Sequence, residues 1–132
     1  MELGTRGRGL YAFDREAAQW LRSIEAGEGL LNAFVQHTSA SLLIQENADP
    51  AVQADLERFF ARLVKDGDPL FEHDAEGPDD MPAHVRAALT QTQLSIPVLD
   101  GRMALGTWQG LYLYEHRTAA HSRRVVLSFL GT

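Results

Sequence analysis

Strict period-two alternation in the last third of the chain constrains the fold most. Leu94, Ile96 and Val98 point one way and their neighbours the other, as in a strand with one covered face. Asp100-Gly101 follows, a two-residue hairpin signal that returns the chain at Arg102. From Trp108 to His116 two faces separate: Trp108, Tyr112, Tyr114 and His116 on one, Gln109, Leu111, Leu113 and Glu115 on the other. Gly106 and Gly110 suggest bulges or close backbone approach there. Arg123 to Leu130 reads as a last strand. Strands joined by hairpin signals are antiparallel, which argues against a parallel, strictly alternating α/β fold.

The earlier part supplies helices. Asp14 is a candidate N-cap, with Ala17, Trp20, Leu21 and Ile24 at helical spacing before Gly27 and Gly29. Leu30 to Gln36 is a strand with Leu31, Ala33 and Val35 on one face. Asp49-Pro50 opens a second helix whose stripe of Val52, Leu56, Phe59, Phe60, Leu63 and Val64 is expected to be core. Met81-Pro82 opens a third, with Val85, Ala88 and Leu89 as its apolar side. Residues 1–13 carry three glycines and promise at most a frayed edge strand. The expectation is one α+β domain over residues 1–132, with about six strands in a mainly antiparallel sheet or sandwich and three helices.

With 132 residues the chain is long enough for a real core. It has no cysteine, which removes disulfides, thiolate nucleophiles and zinc–thiolate sites. A net charge of −6 argues against nucleic acid as a partner. No apolar run is long enough for a signal peptide core or a membrane span, so a cytoplasmic location is expected. The basic pairs Arg6/Arg8 and Arg123/Arg124 suit one phosphate group on a small molecule, not a polyanion.

The chemistry concentrates in two stretches. In QHTSASLLIQENAD, residues 36–49, an extended chain puts His37, Ser39 and Ser41 on one face and Ala40, Leu42 and Ile44 on the other. His37, Ser39 and Ser41 share the parity of the apolar Leu31, Ala33 and Val35. The polarity of that face therefore switches at His37, where the strand leaves the core or a bulge shifts the register. In residues 66–83, DGDPLFEHDAEGPDDMPA, seven acids lie between Asp66 and Asp80 with no lysine or arginine among them. Such a cluster repels itself unless a cation or a basic partner lies near. Asp79 and Asp80 also suit a helix N-terminus electrostatically. His37 and His116 fall at strand ends, His84 at a helix start and His73 in the acidic loop. Three imidazoles with an open position would make a zinc-type site, with acids orienting the rings. Neither serine sits in a nucleophile elbow, so their hydroxyls read as donors to an anionic ligand.

QHTSASLLIQENADP, EHDAEGPDDMPAHVRAALT, GRMALGTWQGLYLYEHR and SRRVV together resemble the YjbQ-like family, whose members are often labelled secondary thiamine-phosphate synthase. The resemblance covers nearly the whole chain in the family's order. The N-terminus is a few residues shorter than usual, and His121 falls outside the blocks. What the resemblance implies is a β-sandwich with flanking helices, a homotrimer, and a weak ability to join hydroxymethylpyrimidine diphosphate to thiazole phosphate with release of pyrophosphate. Carried over by motif, the positions to watch are His37, Thr38, Ser39, Ser41, Asn47, Asp49, His73, His84, Trp108, Gln109, Glu115 and His116.

The resulting expectation is a trimeric transferase with a histidine-rich pocket. His37, His84 and His116 hold a divalent metal, zinc or magnesium. His37, His73 and Glu115 move protons or orient ligands. Thr38, Ser39, Ser41, Asn47, Asp49, Trp108 and Gln109 contact a phosphorylated substrate. A metal- or anion-binding module without turnover, and a metal-dependent hydrolase, are the alternatives.

Overall fold

The computed structural model describes all residues from Met1 to Thr132. Eight strands and three helices follow in the order β1 (Glu2–Gly4), β2 (Gly9–Ala12), α1 (Asp14–Ser23), β3 (Gly29–Val35), β4 (Ala40–Glu46), α2 (Pro50–Leu63), α3 (Asp80–Leu89), β5 (Gln93–Leu99), β6 (Arg102–Met103), β7 (Gln109–Glu115) and β8 (Ser122–Gly131). They form two sheets, β1-β8-β3-β5-β6 and β2-β7-β4. Every strand pair is antiparallel. The fold is α+β with antiparallel sheets, as the alternation requires. The glycine-rich N-terminus gives two short edge strands, one on each sheet.

The sheets share one apolar interior. Leu31, Ala33, Val35, Leu94, Ile96, Val98 and Val125 come from the five-stranded sheet; Ala40, Leu42, Leu111 and Leu113 come from the three-stranded one. Phe13, Ala17 and Leu21 of α1 and its entry complete it. A single bridge, Leu42 with Gln91, joins the sheets, its Leu42 N–H donating to the Gln91 carbonyl at 2.7 Å. At the far end of the large sheet Gly29 and Gly131 are directly paired. A Cβ on either would lie 2.2 Å from a backbone carbonyl oxygen, so only glycine fits.

Several local expectations change. Residues 36–39 are not strand: the chain leaves the large sheet at Val35 and enters the small one at Ala40. Polarity switches at His37 because the chain changes sheets there. The Ser41 face of β4 is buried rather than solvated, because α2 lies over the outer side of the small sheet and seats Phe60 edge-on against Tyr114. In α2 the expected Asp49 cap forms, with Oδ1 accepting from Ala51 N–H at 2.9 Å. The stripe is shallower than expected, however: Phe59 is 51 % exposed and no residue of α2 is fully buried. Asp14 is the first residue of α1, not its cap, and its carboxylate accepts from Leu111 N–H. In α3 the buried side is Asp80, Pro82, Ala83 and Arg86 rather than Val85, Ala88 and Leu89.

Candidate functional site

The N-terminal turns of α3 carry the one group of metal-capable side chains. Asp80 and His84 are four residues apart and so lie on one helix face. The acidic loop folds back to bring His73 against them. Ligand atoms of His73, Asp80 and His84 all lie within 4.8 Å of one another. His73 Nε2 is 2.6 Å from Asp80 Oδ2, and His84 Nε2 is 3.4 Å from Asp80 Oδ1. The other nitrogen of His84, Nδ1, donates to the Thr38 carbonyl at 2.9 Å. A carbonyl oxygen only accepts, so Nδ1 carries the hydrogen and the Nε2 lone pair is left facing the carboxylate. A cation bound between them would turn the approach of these two acceptors into an attraction.

Arg117, just beyond β7, holds the acidic loop in place. Its guanidinium donates to Asp79 Oδ2 and Asp80 Oδ1, each at 2.9 Å, and to the Glu76 carbonyl at 2.8 Å. Burial alone would raise the Asp79 pKa. The Arg117 hydrogen bond and the Thr118 N–H outweigh it and hold the carboxyl at about 2. The basic partners that the run of acids required are therefore two arginines: Arg117 on Asp79 and Asp80, and Arg8, whose guanidinium donates to both oxygens of Asp66.

Two clefts flank the group. His84, His37 and Thr38 line one of about 510 Å³, walled by Val35, Ala87 and Ala88. His73 lines the other, of about 310 Å³, with Asp68 and Asp74.

Of the expected metal ligands only His84 belongs to the group. His37 shares its cleft, but Nε2 already accepts from Arg124 N–H at 2.8 Å and Nδ1 faces Arg123 Nη1 at 3.4 Å. Burial first, and Arg123 second, lower its pKa and favour the neutral ring. His116 is 0 % exposed, its Nε2 is 2.8 Å from Ser41 Oγ, and its Nδ1 has no partner. Burial, then nearby Arg86, bring its pKa down to about 3. His37, His84 and His116 therefore form no single cluster within the chain.

Glu115 is equally enclosed. It binds Arg123 through both carboxylate oxygens and accepts from Thr5 Oγ1 at 2.7 Å. Burial pushes its pKa up, but the Arg123 and Thr5 hydrogen bonds prevail and hold it below the usual carboxylate value. Ser39 Oγ accepts from the same Arg123. Thr38 reaches the group through its carbonyl.

Asn47, Asp49, Trp108 and Gln109 lie at the other end of β4 and β7, roughly 20 Å away along a seven-residue strand. There Asn47 Nδ2 bonds the Thr107 and Gln109 carbonyls, Gln109 Oε1 accepts from Gly106 N–H, and Trp108 is 62 % exposed. Asp80, read from the sequence only as an acid suited to a helix N-terminus, is the centre of the group, and Arg117, its anchor, is not among the residues that the sequence singles out. The spacing Asp-x-x-x-His at a helix start is the signal that could have found the first.

A family model described as "UPF0047 protein YjbQ-like" matches residues 1–132. The chain belongs to the YjbQ-like UPF0047 family. Members include a UPF0047 protein of Synechocystis, 47 % identical over 98 % of this chain and 88 % of its own. YjbQ of Escherichia coli O157:H7 is 43 % identical over 99 % of this chain and 95 % of its own. Among solved structures, a conserved hypothetical protein of Thermus thermophilus superposes with TM-score 0.88 at 32 % identity, covering 98 % of both chains. That protein thus shares the fold described above.

Proposed function

We propose that the protein is an enzyme acting on a phosphate-bearing small molecule, with a divalent metal ion held by His73, Asp80 and His84. The specific reaction we propose is that implied by the sequence resemblance. Hydroxymethylpyrimidine diphosphate is joined to thiazole phosphate and pyrophosphate is released. The observation that supports a metal is the His84 Nε2 lone pair facing Asp80 Oδ1 at 3.4 Å while Nδ1 is committed to Thr38. Two imidazoles and one carboxylate suit zinc better than magnesium, which prefers oxygen ligands and its own water. A carbonyl fixing the far nitrogen of His84 is the usual outer support of a metal-binding histidine. A metal bound there supplies positive charge that neutralises the departing diphosphate.

The chain's own residues set the direction of approach. Asp68 and Asp74 on the His73 side repel an anion, so the charged end of a substrate enters from the His84 side. The Ala87, Ala88 and Val35 walls of that cleft suit the uncharged ring. Arg117 keeps Asp80 aimed at the two imidazoles by occupying Oδ1 and tying down Asp79. Trp108 and Gln109, far from this centre within one protomer, would reach a substrate only from a neighbouring copy. That placement favours the homotrimer, which we propose together with a cytoplasmic location. No helix is long and apolar enough to cross a membrane.

Metal content and thiamine phosphate formation by the purified protein test the reading. The wild type is expected to carry about one zinc per chain and to form product. His84→Ala and Asp80→Asn are expected to lose both. Turnover that is equal in all three proteins overturns it. Metal without product from these phosphates would indicate a binding module.

A further inference from the structure

The largest cleft in the molecule, about 960 Å³, shares no residue with the histidine site. It lies between α1 and the β5–β6 hairpin, at the Gly29 end of β3, whereas His37 follows the Val35 end. Arg15 and Arg22, seven residues apart on one face of α1, line it, and Arg102 faces them from β6. Arg8, Arg58, Arg86, Arg117, Arg123 and Arg124 each have a carboxylate within ion-pair distance. Arg15, Arg22 and Arg102 do not, nor do Arg6 and Arg62 elsewhere on the surface, although Asp14, Glu25 and Asp100 line the same cleft. Of these acids Asp14 is engaged by Leu111 N–H. Glu25 and Asp100 are the chain's two non-glycine residues at positive φ, both at 52°. These conformations belong to the end of α1 and to the Asp100-Gly101 hairpin turn, and they set both carboxylates at the cleft. Ala18, Ala26, Met103 and Leu105 give the cleft an apolar side.

We propose that this cleft binds a nucleotide-sized phosphate ester. The three free guanidinium groups receive the phosphate, the apolar side takes the organic part, and Glu25 and Asp100 accept hydrogen bonds from its amino or hydroxyl groups. Guanidinium is the side chain best matched to phosphate oxygens. The volume lies within the range of small-molecule pockets and far exceeds one inorganic anion.

Thermal shift and calorimetric titration with adenosine 5′-monophosphate, and separately with pyrophosphate, test it. The monophosphate should raise the melting temperature of the wild type more than pyrophosphate does. Arg22→Gln and Arg102→Gln, both at exposed positions, should each weaken its binding about tenfold. His84→Ala should bind it as the wild type does, which separates this cleft from the histidine site. The proposal is overturned by no binding to the wild type, by unchanged binding in both arginine variants, or by loss of binding in His84→Ala. Pyrophosphate binding as tightly as the nucleotide overturns the organic part of the site.

Discussion

His116 couples burial directly to the pH dependence of stability. A free imidazole takes a proton near pH 6.5, whereas this one resists to about 3. Over that interval the unfolded chain binds a proton that the folded chain refuses. This contribution is whole above about pH 6.5 and falls as the pH drops, by up to about 1.4 kcal/mol per unit, until near 3. Asp79 acts in a lower window: its contribution is whole above about 4 and is lost as pH falls towards 2. Replacing His116 by Phe is expected to cost about 1–3 kcal/mol at pH 7.5, through the orphaned Ser41 hydroxyl. The deficit should shrink as pH falls to about 4.5, because only the wild type loses stability there through this residue. Urea midpoints across that range measure it, and a constant deficit would refute the assignment.

Glu115→Gln makes a larger claim. It leaves the Arg123 guanidinium buried without its counter-charge, at an expected cost of about 3–5 kcal/mol by chemical denaturation. At this scale the sequence revealed which residue types carried chemistry but not their partners. An Asp at a helix start has the same signature whether it favours the helix dipole or meets two histidines. Only the return of the acidic loop distinguishes the two roles. Burial of His116 and Glu115 was invisible for a related reason: it depends on what covers a strand's end, not on the strand.

Among the elements, α3 shows where periodicity fails. Its buried face is built around Arg86, 1 % exposed, which donates to both oxygens of Glu57 on α2 at 2.9 and 3.1 Å. Tyr114 Oη donates to the same carboxylate at 3.0 Å. An arginine at a core position hides the helical stripe from any reading that seeks apolar residues, so the spacing selects Val85, Ala88 and Leu89 instead. The strands are easier to read, because alternation survives wherever one face meets the interior. β3, β5, β7 and β8 fall within a residue or two of their expected limits. The Arg86–Glu57 pair fixes the helix that carries Asp80 and His84. Arg86→Met is therefore expected to destabilise the fold by about 1–3 kcal/mol, moderated because Glu57 reaches water. It should also weaken zinc binding. Arg86→Met with Glu57→Leu should recover part of the stability by removing the stranded charge. A double-mutant cycle in urea, with zinc titrations on each protein, measures both effects. Zinc affinity unchanged in Arg86→Met would separate helix anchoring from the site.

For the whole molecule, the outer face of the five-stranded sheet is the feature that a single chain leaves unexplained. Leu30, Leu130 and Pro97 form one row across β3, β8 and β5, and Phe34 and Val126 form another. Leu30, Phe34 and Val126 are each more than two-fifths exposed and Leu130 is 81 % exposed. Between the rows Asn32, Ser95 and Ser128 are uncharged. No helix covers this face, whereas α2 covers the outer side of the small sheet. Rows of apolar residues without charge suit contact with another copy more than contact with water. If this face builds the proposed trimer, Phe34→Lys with Leu130→Lys should yield monomers by light scattering at concentrations where the wild type is trimeric. Both side chains point away from the core, so the monomer should keep its fold, and the proposed zinc site should stay because all three of its residues come from one chain. Product formation should nevertheless fall, since Trp108 and Gln109 of a neighbour would no longer be presented. Monomers that keep full turnover would show that the centre on α3 is complete by itself. A variant that remains trimeric would place the contact on another surface.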